Sequence, residues 1–422
     1  MTSSVGLAVE AFEAGLAAAE PSRAVRLALG AEDRRWPAVL AVGKASLGML
    51  EGAAEWLDEE SPGVVVTTAG QAGQRAAVLG VEVFGAGHPV PDAVGLSASV
   101  AVEELLRGGS EELLVLISGG ASALLPAPAA GVGLADKIAT TQALLASGAS
   151  IHEVNAVRKH LSRFKGGGLA ELAAHRRSTV LILSDVPGDD LSVVGSGPFT
   201  PDPSTFADAI DVLDRYAVAV PESASERLKR GAAGDLAETP FAGAPCFAHV
   251  DQRLVGGNAA SVAACAEVLS SRGEVVTKAD PVEGEARSVG QRLAAEVVDS
   301  GAGLAVCGGE TTVTLRGDGL GGRNQELALA FALAMENLVT RGDWAFLSAG
   351  TDGRDGPTDA AGAVVTAETI ARGGGPRVAR AALDANDSYR FLEAAGGLLV
   401  TGETGTNVAD LQVWVDGAVL RD

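Results

Sequence analysis

Two cations and one carboxylate stand where apolar runs give way to small residues. Lys44 follows Val39-Leu-Ala-Val-Gly43 and precedes Ala45-Ser46. Arg323 closes a stretch holding Gly317, Gly319, Gly321 and Gly322, and with Asn324 it opens a long apolar run over 327–335. Asp185 comes directly after the apolar run 179–183 and Ser184. A helix start offers unpaired N–H groups and a partial positive charge; glycines let an anion approach, and a Lys or Arg there adds a full charge. A carboxylate at the end of a buried strand can accept a proton or share a Mg²⁺ with phosphate oxygens.

Other stretches carry the same chemistry. The run 113–117 leads into Ser118-Gly119-Gly120-Ala121-Ser122, where small residues and two hydroxyls can face an anion. Residues 151–165, IHEVNAVRKHLSRFK, read as a helix in which Arg158 and Lys165 stand seven apart on one face, with Lys159 and Arg163 nearby. Such a cluster suits a polyanionic small ligand such as a nucleotide triphosphate. Residues 349–359 gather acids and hydroxyls, Asp352 among them. His88 and Asp92 lie in a loop stiffened by Pro89 and Pro91.

Stepping from these loops to what must hold them, apolar strand, glycine-rich polar loop and helix recur. Strands are expected at 39–42, 64–68, 81–84, 113–117, 179–183, 246–250, 275–278, 304–307, 311–315, 344–348 and 398–400, with helices at 5–29, 47–57, 151–165, 208–229 (broken at Pro221) and 258–270. The alternation predicts an α/β protein, mostly parallel, in two lobes, with its functional loops at strand carboxyl ends. A Gly-, Ala- and Pro-rich stretch over 231–245 places a boundary between domains 1–235 and 236–422.

Composition narrows the function. Of 422 residues, 47% are hydrophobic and 20% charged, with net charge −22. So acidic a chain is a poor partner for nucleic acid or an anionic membrane. Cys246, Cys265 and Cys307 form no metal or redox motif and suit buried thiols in a reducing cytoplasm. The first residues lack a basic signal-peptide region, and no apolar run is long enough to span a membrane. Gly317, Gly319 and Gly322 match G-x-G-x-x-G, but without the apolar first strand and the following acid of a dinucleotide fingerprint. The 38–45 region is only half a P-loop, since Ala38 and Ala45 replace its Gly and hydroxyl.

The blocks AVGKAS, GHPVPD, LISGGASALL, NAVRKHLSRFKGGGLA, LSDVPGDDLSVVGSGP, GGETTVTL, GGRNQELAL, GTDGRDGPTDAAGA, NDSY and TGETGTNVADL together resemble the two-domain glycerate 2-kinases, whose C-terminal part is the MOFRL domain. They span residues 41–410. Glu403 stands where the family usually has Pro. The resemblance implies a Rossmann-like N-terminal domain, a smaller C-terminal α/β domain, an active site in the cleft between them, and ATP- and Mg²⁺-dependent phosphorylation of D-glycerate at its 2-hydroxyl. It points to Lys44, Asp185 and Arg323 as the catalytic core, with Asp185 as base or Mg²⁺ ligand. Ser118, Gly119, Gly120, Ser122, Arg158, Lys165, Asn324 and Asp352 are the expected substrate- and nucleotide-binding residues. The partners expected are the small molecules D-glycerate and ATP, and homo-oligomer formation is left open. The alternative is an NAD(P)H-dependent hydroxypyruvate or 2-hydroxyacid reductase.

Overall fold

The computed structural model describes residues 3–58, 61–72, 80–338 and 342–420. The chain forms two compact units. One comprises Pro21–Ser184 and Asp190–Val255; the other comprises Met1–Glu20, Asp185–Asp189 and Gly256–Asp422. The expected boundary at 235 lies ahead of Val255, and the first helix belongs with the C-terminal part of the chain.

The first unit is built on strands β1 (Val39–Val42), β2 (Gly63–Thr68), β3 (Glu82–Ala86), β4 (Glu112–Ser118), β5 (Arg177–Leu183) and β6 (Val250–Gly256), in the order β3-β2-β1-β4-β5-β6. β1 pairs in parallel with β2 and β4, and β2–β3 and β4–β5 are parallel too. This is the doubly wound order of a Rossmann-like sheet, in which the chain changes winding direction between β1 and β4. The central strands are continuous apolar runs because both faces are covered; every residue of β1 is buried. Four helices, Leu134–Ala146, Ile151–His160, Phe206–Arg215 and Glu222–Ala232, share a separate apolar cluster around Leu144, Val157, Phe206 and Leu228.

The second unit holds β7 (Val275–Thr277), β8 (Val282–Glu285), β9 (Leu304–Thr312), β10 (Trp344–Gly350), β11 (Gly362–Thr366), β12 (Leu398–Leu399) and β13 (Asp410–Asp416). Its order is β12-β11-β10-β13-β9-β7, with β8 also pairing β9. Here the mostly parallel expectation fails. β10 runs antiparallel to β11 and β13, and β13 antiparallel to β9; only β7 and β8 lie parallel to β9. β11 and β13 lie outside the expected strands, and without them the remaining strands alternate with helices as a parallel sheet would. One face of this sheet packs on the helix Ser4–Ala18 through Leu7, Ala11, Phe12, Leu411 and Val413. The other packs on the helix Arg323–Leu338, where Phe331 stacks on Phe346 at 3.8 Å between centroids. That contact contributes about 1 kcal/mol beyond area burial.

Several expected elements shift for local reasons. The single helix over 5–29 is two, Ser4–Ala18 and Pro21–Leu29, because Pro21 has no N–H to continue the first. Ser3 caps the first by accepting from the Gly6 amide at 3.1 Å. In place of a strand at 246–250, Pro245–Phe247 forms one helical turn and β6 starts at Val250. The helix from Ile151 ends at His160, not 165; the Ser162 hydroxyl then accepts from the Phe164 and Lys165 amides. Leu161 and Phe164 remain buried, which is why the apolar periodicity ran on past the helix. The expected strand 304–307 runs on to Thr312 as β9, which takes in only the first two residues of the expected strand 311–315. Gly309 (φ +153°) allows it, since a Cβ there would lie 2.3 Å from the Val282 carbonyl.

Candidate functional site

In the first unit the chemistry gathers at the switch between β1 and β4, where an open α/β sheet binds ligands. The Lys44 amide donates to the Gly119 carbonyl at 2.8 Å, and the Ala45 amide donates to Ser118 Oγ at 3.0 Å. The two strand-end loops are therefore stitched together. Gly43 (φ +128°) is required for this approach: a Cβ there would stand 2.2 Å from Ser118 Oγ. The sequence expected the Ser118 hydroxyl to face a ligand; it is buried and holds the two turns together. Gly120 (φ +82°) lies under both Lys44 and His88, each 3.1 Å from where its Cβ would be. Lys44, half-buried, is thus the cation of this turn. Partial burial, then the Lys44 charge, pushes His88 down to about 4, so its ring is neutral at ordinary pH.

Ser122 links this turn to the basic cluster. Arg158 Nη2 donates to Ser122 Oγ, and Lys165 Nζ donates to the Ser122 carbonyl at 2.9 Å. The expected convergence of Arg158 and Lys165 holds, though through the Ser162 turn and not along one helical face. Lys159 and Arg163 point elsewhere, to Asp202 at 3.2 Å and to Glu103. Two further side chains complete the arrangement. Asn155 Oδ1 accepts from Arg158 Nη1 at 3.0 Å and from Ser196 Oγ at 3.2 Å, and Ser196 Oγ lies 3.0 Å from Ser122 Oγ. Asn155 three residues before Arg158 on a helix was a readable pairing. Ser196 lay in what read only as a rigid turn.

In the second unit Arg323 is not a lone cation. Nε and Nη2 donate to both oxygens of the buried Asp410 at 2.6 and 2.8 Å, and Nη1 reaches Glu310 at 2.8 Å. Burial opposes its charge, but hydrogen bonds and charge from Asp410, with Glu310 and Asp355, outweigh that and raise its pKa. The helix start that the sequence marked as an anion site is filled by the protein's own carboxylate. Asp355 accepts from the Asn324 and Gln325 amides at 3.1 and 2.8 Å. The glycines before it meet protein as well. A Cβ at Gly319 would lie 2.4 Å from the Ala385 carbonyl, at Gly321 2.2 Å from Ser388 Oγ, and at Gly322 2.3 Å from the Asp355 carboxyl. Asn324 is fully buried, with Oδ1 accepting from Ser348 Oγ at 2.6 Å. Asp352 accepts from the Arg354 amide at 3.0 Å. Asp352 Oδ1 and Asp410 Oδ1 lie 3.3 and 3.4 Å from a Cβ position on Gly350. Asp410, the acid that opens β13, was not singled out because its strand was not recognised.

Asp185 follows Ser184 after β5 and is half-buried. Asp190, which the sequence grouped with it, binds its own loop through the Ser192 amide at 2.8 Å. Glu403 pairs with Arg354 at 2.8 Å, both exposed, so the carboxylate in this loop has a counter-charge. The three cysteines are free and buried, and burial pushes Cys265 and Cys307 up to about 12. Among the described residues no helix is long and apolar enough to cross a membrane.

The chain is thus a two-unit α/β protein, with a Rossmann-like sheet carrying Lys44 at its switch point and a second, mixed sheet. Residues 7–229 match a domain of unknown function, DUF4147, and residues 303–410 match the MOFRL family. The chain is 40% identical over 424 residues to a D-glycerate 2-kinase of Thermotoga maritima, covering 96% of each chain. It is also 40% identical over 421 residues to an Agrobacterium vitis protein that bears a provisional hydroxypyruvate reductase name, covering 96% of this chain and 93% of that one. A crystal structure of glycerate kinase from Thermotoga maritima superposes with a TM-score of 0.85 at 39% identity, over 97% of this chain and 98% of that one. The chain belongs to the glycerate 2-kinase family with a C-terminal MOFRL domain.

Proposed function

We propose that this protein transfers the γ-phosphoryl group of ATP to the 2-hydroxyl of D-glycerate, giving 2-phosphoglycerate and ADP. The observation that carries the reading is the near full-length correspondence to a D-glycerate 2-kinase in a chain whose Lys44 sits at the sheet's switch point. Phosphoryl transfer needs positioned charge more than covalent chemistry. Lys44, on a turn fixed by Gly43 and Ser118, stabilises the charge on the migrating phosphoryl oxygens. The Gly119–Gly120 turn lets the anion approach, and Arg158 and Lys165 meet phosphate oxygens beside Ser122.

Arg323 takes the glycerate carboxylate. Asp410 fixes the guanidinium plane, while the exposed Glu310 is a weak partner that a substrate carboxylate can replace. Asn324 and Asp352 support that site. Asp185 accepts the proton of the 2-hydroxyl as the oxygen–phosphorus bond forms. Among the described residues no group of three or more His, Cys, Asp or Glu could hold a metal. If Asp185 does not serve as the base, it is the carboxylate that would hold a Mg²⁺ arriving on the nucleotide. That ion supplies charge neutralisation of the phosphate oxygens.

The reductase reading draws on the β3-β2-β1-β4-β5-β6 order, shared with dinucleotide-binding sheets. Its fingerprint is missing where it is needed: the turn after β1 carries Gly43 alone, and the G-x-G-x-x-G glycines pack on residues 385–388 and Asp355. Incubation with NAD(P)H and hydroxypyruvate, followed at the nicotinamide absorbance, separates the readings; turnover there would favour the reductase.

A further inference from the structure

The helical part of the first unit encloses three cations. Lys137 and Lys165 are 4% and 3% exposed; burial first, then the charge of Arg158, lowers the pKa of both. Among the described residues no carboxylate forms an ion pair with any of the three. Lys137 Nζ donates to the Pro126 carbonyl at 2.5 Å and Lys165 Nζ to that of Ser122 at 2.9 Å. Arg158 Nη1 and Nη2 go to Asn155 and Ser122, and its buried Nε has no protein partner. Carbonyls and hydroxyls satisfy hydrogen bonds but leave charge uncompensated. A buried cation without a counter-charge is costly, and here three repel one another. The neighbouring Lys159 and Arg163, on the same stretch of chain, do have carboxylates. Among the described residues of a protein with net charge −22 and 54 acidic residues, these three cations have no carboxylate partner.

We propose that Lys137, Arg158 and Lys165 form a phosphoryl-binding site, with Lys137 a binding residue from a helix that carries none of the recognised motifs. Three positive charges match a dianionic phosphoryl group better than a single carboxylate. Ser122 and Ser196 supply hydroxyls, and Arg158 Nε supplies an unused donor. Burial first, then Arg158 and Arg227, holds the Lys137 ammonium well below its ordinary pKa; an arriving dianion reverses that and draws the proton on. The choice of phosphoryl over other anions rests on the kinase reading; the existence of the anion site does not.

The test uses the full chain without ATP or glycerate. Thermal unfolding is followed as inorganic phosphate is titrated at constant ionic strength with chloride, and in parallel with acetate. The wild type should show a saturable rise in Tm with phosphate, a much smaller one with acetate, and at least a tenfold weaker phosphate response in Lys137→Met and in Lys165→Met. Two variants are used so that one folding poorly leaves the other to report. No saturable phosphate effect, acetate acting as strongly, or an unchanged phosphate midpoint in the variants overturns the proposal. Because no turnover is measured, loss of the kinase reading would leave this result standing, and the converse holds too.

Discussion

Arg323 grips Asp410 with two parallel hydrogen bonds, 2.6 and 2.8 Å, across the gap between a helix start and the first residue of β13. The carboxylate is buried and the guanidinium is about a third exposed. The pair thus fixes a cation whose outer face can still meet an anion. Arg323→Ala should abolish turnover and also strip a buried carboxylate of its partner, costing about 3 kcal/mol of stability. Adding Asp410→Asn should restore much of the stability and none of the activity. Denaturant unfolding and kcat of the single and double variants check this; an Arg323→Ala protein as stable as wild type would contradict the assigned pairing.

Among the described residues Lys44 has no such pairing, and its turn is held by its own amide on Gly119 and by the Ser118 hydroxyl. Lys44→Ala should keep the fold and lower kcat by on the order of 10²-fold or more, as for other electrostatic stabilisers. Circular dichroism with steady-state kinetics tests it. Gly43→Ala should do the opposite, failing structurally, because its Cβ has no room beside Ser118. A Gly43→Ala variant with wild-type stability would show that the two loops are not bound as described.

The parallel half of the fold was legible because β1, β4 and β5 are uninterrupted apolar runs ending in small residues, a pattern that both names the strand and marks where it ends. The antiparallel half was not. β13 begins with Asp410 and interposes Gln412 between apolar residues, and both polar side chains are buried through partners far away in sequence. The same blindness hid part of the site. Arg158 and Lys165 stand out as charges in an acidic chain, but Lys137 lies in none of the motifs, and tertiary packing is what buries it. The glycines before Arg323 were seen but misread: local sequence cannot tell glycine that admits a ligand from glycine that admits residues 385–388.

Asp355 gives the fold a pH signature. Burial pushes its carboxyl up to about 7; the Gln325 and Asn324 amides oppose this, while Asp410 adds to it. In the unfolded chain the group titrates at its ordinary value near 3.8. Between about pH 4 and 7 the folded protein therefore holds a proton that the unfolded chain has released. Through this group, stability is full below that window and declines as pH rises across it, with a slope up to about 1.4 kcal/mol per pH unit. Asp355→Asn, which keeps a neutral cap on the same helix, should flatten this part of the profile. Equal slopes of Tm against pH from 4 to 7 in wild type and variant would count against the raised value.

Asp185 has two candidate roles with different readouts. As proton acceptor, Asp185→Asn lowers kcat while nucleotide affinity stays nearly unchanged. As a Mg²⁺ ligand, the same change raises the magnesium needed for half-maximal rate, and added metal partly rescues it. A magnesium titration of the variant at saturating ATP and glycerate separates the two, with the first outcome expected; unimpaired activity at ordinary magnesium would exclude both.

The central claim is the reaction itself. Incubation of the purified chain with ATP, Mg²⁺ and D-glycerate, with product analysis that resolves the phosphorylated carbon, tests it most directly. The account predicts glycerate-dependent release of ADP and accumulation of 2-phosphoglycerate in equal amounts. ADP release that ignores glycerate, phosphate on the 3-hydroxyl, or no transfer at all would contradict it.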